Sequence, residues 1–147
     1  MYEILRQIHT VWACLTLLIL VIAVVNSIAG FSSKREFNAG DKRLGLFALT
    51  AAHIQFLIGI ILYFNSPLGI EVLGEMKNAS LRLTSMEHPL VNLIAVTLIT
   101  IGWSRHKKFL DSKPKFKSLS VFYGIGLLLI LSRIPWNLLS DVISDLL

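Results

Sequence analysis

Long apolar runs separated by short charged stretches dominate the chain. The runs lie at roughly 8–31, 44–64, 90–103 and 118–139, and Arg133 is the only Asp, Glu, Lys or Arg inside any of them. A helix needs about 20 apolar residues to cross about 30 Å of hydrocarbon. Three runs meet that length. The third reaches about 16–18 residues once His88 and Pro89 are counted, which suffices if its polar ends snorkel. The pattern predicts helices at about 4–31, 43–65, 85–104 and 117–140, in a single membrane domain over 1–147. The expected fold is all-α, an integral membrane four-helix bundle running up-down-up-down with both termini outside.

The connection 65–87 is read as the outer loop. Asn65-Ser66-Pro67-Leu68-Gly69 is a turn signature. The mixed apolar and charged stretch from Ile70 to Leu83 suggests a short interfacial helix. Thr84-Ser85-Met86-Glu87 fits a capping box, which would start the third helix near Ser85. Pro89 then falls in the first turn, where a missing N–H does least harm. Asn78-Ala79-Ser80 matches a glycosylation sequon and carries no weight. Small and polar stripes mark where helices approach closely: Ala48, Ala52, Gln55 and Gly59 on the second, and His88, Asn92, Ala95 and Gly102 on the third.

Composition agrees with a membrane environment. Hydrophobic residues make up 54% of the 147 and charged ones only 16%, less than a soluble domain carries. The net charge of +5 is sorted by side rather than spread. Lys34, Arg35, Lys42 and Arg43 fall in loop 32–43; Arg105, Lys107, Lys108, Lys113, Lys115 and Lys117 fall in loop 104–117. The opposite end carries Arg6, Lys77 and Arg82 among the acids Glu3, Glu71, Glu75, Glu87, Asp141 and Asp145. Short loops rich in Lys and Arg stay inside, so loops 32–43 and 104–117 are expected in the cytoplasm of a protein of the bacterial inner membrane. This sorting argues against a nucleic-acid partner. Aromatic belts fit the same frame, with Tyr2, Trp12, Tyr63, Phe64 and Trp136 outside and Phe31, Phe47, Trp103, Phe116, Phe122 and Tyr123 inside. The first run exceeds a signal-peptide core and lacks a cleavage pattern. Cys14 is the single cysteine, which excludes an internal disulfide.

Candidate chemistry rests on Arg133 and the histidines. A guanidinium in hydrocarbon costs roughly 2.5–3.5 kcal/mol on insertion scales and normally has a partner. His9 and His88 both open helices from the outer side, at similar depth on diagonal helices. Arg133 is expected about 8 Å deep on the fourth helix, with Asn137 and Ser140 on its face. His53 is deeper, roughly 15 Å from the level of His9. An intramembrane cation with several imidazoles points to a bound anionic cofactor. Haem b fits, with iron candidates His9, His88 and His53 and with Arg133 or Arg82 on the propionates. Gln55 and Asn92 would orient an imidazole or hold helices together. His106, between Arg105 and Lys107-Lys108, reads as solvated.

Ile8-His9-Thr10-Val11-Trp12, Glu87-His88-Pro89-Leu90, Ile101-Gly102-Trp103-Ser104 and Leu131-Ser132-Arg133-Ile134-Pro135-Trp136 together give the chain a likeness. It resembles a family of small four-helix membrane proteins usually labelled "cytochrome b", over nearly its whole length. The resemblance implies haem binding or electron transfer, with His9, His53, His88 and Arg133 at matching positions. A fainter likeness is to small four-helix membrane protoporphyrinogen oxidases and copper-resistance D-type proteins, which also begin with a His followed by Trp. Unlike the oxidases, this chain has no intramembrane lysine in its third helix.

The leading expectation is a haem-b membrane protein passing electrons, with a quinone or a membrane redox protein as partner. Alternatives are a porphyrin- or quinone-acting oxidoreductase, and a non-catalytic subunit or assembly factor within an oligomer. Copper handling is disfavoured, because Met- and Cys-rich clusters are absent.

Overall fold

The computed structural model describes residues 1–147 and is helical throughout, with no strand. We label the helices α1 (Tyr2–Ser33), α2 (Ala39–Asn65), α3 (Ala79–His106), α4 (Ser112–Ser132) and α5 (Trp136–Leu146). A single 3-10 turn, Ile70–Val72, lies between α2 and α3. The first four are each long and apolar enough to cross a membrane. Even α4, with 21 residues, spans about 31 Å at 1.5 Å per residue.

α1 packs on α2 and α4, and α3 packs on the same two, so α1 and α3 face each other across one diagonal. Neighbours are antiparallel. The Trp12 indole N–H donates to the Ala51 carbonyl, while further along α1 Asn26 meets Asp41. Tyr63 meets Ser85 and His53 meets Thr100 between α2 and α3. The Ser118 hydroxyl donates to the Gly102 carbonyl, and Arg133 lies beside His88.

The packed core spans the middle and the basic end. Leu20, Ala23, Ala48, Ala52, Ile99, Trp103, Leu119 and Tyr123 form it, with Val96 and Leu127 at its margin. Close approach depends on small residues: a methyl group at Gly126 would lie 2.9 Å from the Ile99 side chain and 3.2 Å from the Ala95 carbonyl oxygen. Several aromatics expected in the interfacial belts are interior instead. Phe116 and Tyr123 are fully buried, Trp103 nearly so, and the Tyr123 hydroxyl donates to the Gly45 carbonyl at 2.8 Å. Trp12 points between α1 and α2. The polar tips of Trp12 and Tyr123 each find a carbonyl inside the bundle, which removes their reason to seek water.

The turn between α1 and α2 is tightly specified. Lys34 closes α1 in the left-handed region, at φ 57°. Asn38 caps α2 in a full capping box with Asp41. Arg35 grips both Asp41 carboxylate oxygens at 2.7 Å, and Asn26 donates to the same carboxylate.

Two helix boundaries differ from expectation. The third helix begins at Ala79, not near Ser85, because Asn78 caps it: its Oδ1 accepts from the N–H groups of Ser80 and Leu81. The stretch expected as a separate interfacial helix is thus only the Ile70–Val72 turn plus the first turn of α3. Thr84-Ser85-Met86-Glu87 lies inside the helix, in a π turn over Leu83–Glu87, and Ser85 Oγ donates back to the Leu81 carbonyl. The π turn sits just before Pro89, whose ring cannot enter a regular ladder.

The fourth helix stops at Ser132 rather than running to 140. Pro135 disfavours the helical region for Ile134, and Arg133 already departs from it at φ −130°, ψ 24°. Arg133 therefore sits at a helix end, half exposed, and not inside a lipid-spanning helix. Asn137 and Ser140 belong to a different helix, α5. That helix buries Val142 and is tied to α1 by Arg6, which contacts Glu3 at 2.8 Å and Asp145 at 3.7 Å.

Candidate functional site at the histidine end

The diagonal pair α1 and α3 brings His9 and His88 together. Their ring centroids are 6.3 Å apart and the ring planes meet at 76°. The main cluster of buried hydrophobic residues stops short of this level, and the buried residues around the two imidazoles are mostly polar, Thr10 and Ser85 among them.

α2 holds His9 from the side. The Gln55 amide donates to the His9 carbonyl at 3.1 Å and lies 3.2 Å from both ring nitrogens. A nitrogen equidistant from both is not in line with either lone pair, so the ring nitrogens keep acceptor or ligand capacity. One turn on, Gly59 leaves room for the ring: a methyl group there would sit 3.2 Å from His9 Cε1. Gln55 Oε1 is buried and has no partner. An orphaned amide oxygen costs about 1–3 kcal/mol in an apolar interior and needs an explanation.

His88 is oriented by the helix break. Its Nδ1–H donates to the Arg133 carbonyl at 2.7 Å. That carbonyl is available because α4 ends there. The bond assigns the proton to Nδ1 and leaves the Nε2 lone pair free, the usual arrangement of an imidazole that ligates metal. The Asn92 amide donates to the His88 carbonyl at 2.7 Å and steadies the same turn.

A charge cluster borders these rings. Glu87 binds Arg82 Nε at 2.8 Å and Arg133 Nε at 3.2 Å. Arg82 also donates to the Met76 carbonyl and Arg133 to the Ser132 carbonyl. Each guanidinium is left with unused N–H donors on Nη2, and all three side chains are 30–46% exposed. Both arginines are legible from the sequence as neighbours of the site; the carboxylate between them is not. Their spacing of five residues from Arg82 to Glu87 is not a helix-pair signal.

His53 lies elsewhere. Its Nδ1 donates to the Leu49 carbonyl at 2.8 Å, and its Nε2 lies 3.3 Å from Thr100 Oγ1. It joins α2 to α3 and does not meet His9 or His88. His106, expected in solvent, is only 2% exposed: it is held between Trp103 and Phe37, with Nδ1 donating to the Trp103 carbonyl. Its lysine neighbours in the chain hid the fact that it projects inward.

Chemically, the pair suits one metal centre held from two sides. An imidazole nitrogen about 2 Å from a metal puts its ring centroid about 3 Å away, so two opposed rings stand about 6 Å apart. His9 and His88 have that separation. No group of three or more His, Cys, Asp or Glu converges anywhere in the chain, so a bare ion lacks a ligand set. No protein-family model, curated protein or solved structure matches the chain.

Proposed function

We propose that the protein binds haem b between α1 and α3, ligated by His9 and His88, and carries electrons within a membrane. The separation of the two rings is the observation that carries this reading. The Nδ1–H bond from His88 to the Arg133 carbonyl supports it by leaving Nε2 for iron. Arg82 and Arg133, each with spare donors, suit carboxylate anions at the same end. Bound there, haem b supplies a one-electron iron couple. The protein's part is to hold two imidazoles, exclude bulk water and offset the propionate charge.

In this reading the bundle runs up-down-up-down, with loops 32–43 and 104–117 in the cytoplasm by their lysine and arginine content. The histidine end and both termini then face the opposite side. His53 serves as an interhelical hydrogen-bonding residue.

An absorption spectrum of the purified protein, oxidised and then dithionite-reduced, tests the proposal. Split α and β bands on reduction, lost in both His9→Ala and His88→Ala, are expected. A featureless spectrum after expression with ample haem would overturn it.

A second reading follows from Gln55 Oε1. An unpaired acceptor beside an imidazole suits a quinol hydroxyl, which would donate its one proton to a hydrogen bond with Gln55 Oε1. Quinone in an organic extract, with no haem band, would favour it.

A further inference from the structure

The basic end of the bundle holds a cavity of about 420 Å³ where the α1–α2 turn, α2, α3 and α4 converge. That size is within the range of small-molecule sites, about 300–1,000 Å³. Phe37, Asn38, Lys42, His106, Lys107 and Lys115 line it, and no carboxylate does.

Its three ammonium groups are unneutralised. None of the ion pairs in the protein involves Lys42, Lys107 or Lys115. Lys115 rests over the Phe37 ring at 5.4 Å and Lys107 over the Trp103 ring at 5.5 Å. Aromatic faces hold a cation in place without cancelling its charge. Asp41, the acid next to Lys42 in the chain, is buried and already gripped by Arg35 and Asn26. His106 lines one wall, with its Nδ1–H committed to the Trp103 carbonyl. Three cations converging from α2, α4 and the turn that follows α3, with no counter-charge in the lining and an apolar rim, match an anion that carries several acceptor oxygens.

We infer that this cavity binds a phosphate group, either the phosphodiester of an anionic phospholipid headgroup or a free phosphate. Lysines at a helix-bundle end near the membrane surface recognise lipid phosphate in this way. The site is separate from the histidine end and does not depend on what binds there.

The full chain in neutral detergent is the material for the test. Phosphatidylglycerol is offered in phosphatidylcholine nanodiscs and counted by native mass spectrometry; inorganic phosphate is titrated separately and followed by thermal unfolding. The variant Lys42→Gln/Lys107→Gln/Lys115→Gln is compared with Lys108→Gln/Lys113→Gln/Lys117→Gln, which removes equal charge from the same end outside the cavity. Each cavity lysine is expected to contribute about fivefold, so the first variant loses roughly a hundredfold in affinity while the second loses little. Saturable phosphatidylglycerol retention without a phosphate response identifies the lipid; a phosphate response lost in the first variant identifies the free anion. Equal losses in the two variants, or saturable binding of neither probe, overturns the proposal.

Discussion

The Tyr63 hydroxyl donates to the Ser85 carbonyl at 2.9 Å. Ser85 stands four residues before Pro89, so its carbonyl is the one that Pro89 has no N–H to satisfy. A side chain from α2 thus repairs a proline defect in α3. Tyr63→Phe is expected to cost about 1 kcal/mol, measured by unfolding in detergent. In a Pro89→Ala background, where the helix regains its own donor, the same change should cost much less. Equal costs in both backgrounds would show that the two residues are not coupled.

Gly59 sets the position of His9. A methyl group there meets His9 Cε1 at 3.2 Å, and a branched side chain presses harder. With haem b bound as proposed, Gly59→Val is expected to lower haem occupancy nearly as far as His9→Ala does, with helix content by circular dichroism unchanged. Unaltered haem content would mean that the ring can move freely and does not ligate.

His53→Ala separates the two histidine environments. It removes the bonds to the Leu49 carbonyl and Thr100, so stability should fall by roughly 1 kcal/mol. The reduced absorption spectrum should keep its band positions. A loss of the bands in this variant would mean that a bound haem sits at the level of His53 and not between His9 and His88.

Asp41 carries the turn that joins α1 to α2. It is 6% exposed, accepts from Arg35, Asn26 and the Asn38 backbone, and completes the cap of α2. Asp41→Ala should cost roughly 2–3 kcal/mol through the lost cap and the unmet donors. Arg35→Lys should also weaken the turn, since an ammonium lacks the fork that spans both carboxylate oxygens. A pair of denaturation curves in mild detergent checks both.

The four long helices were legible because apolar length alone distinguishes a spanning helix. Their ends were less so. Apolar residues end at Leu131 and resume at Ile134 and Trp136, a near-continuity that masks Pro135, whose effect on Ile134 ends α4. Asn78 and Thr84-Ser85-Met86-Glu87 each offer a local cap pattern, and only the surroundings of Pro89 choose between them. His9 and His88 could be paired from their matching depths on diagonal helices. Nothing in the sequence told that a broken helix would give His88 its hydrogen-bond partner, or that His106 would turn away from its charged neighbours.

The π turn in α3 has a consequence for the charge cluster. Successive residues of an α-helix are about 100° apart, so residues five apart point to different sides, whereas the wider turn over Leu83–Glu87 brings Arg82 and Glu87 to within 2.8 Å. One residue deleted from this stretch would restore regular winding and swing Arg82 about 100° away from Glu87 and Arg133. The arginine pair at the histidine end is thus the product of a single extra residue, and a shorter version of this helix would keep its length across the bundle and lose that paired corner.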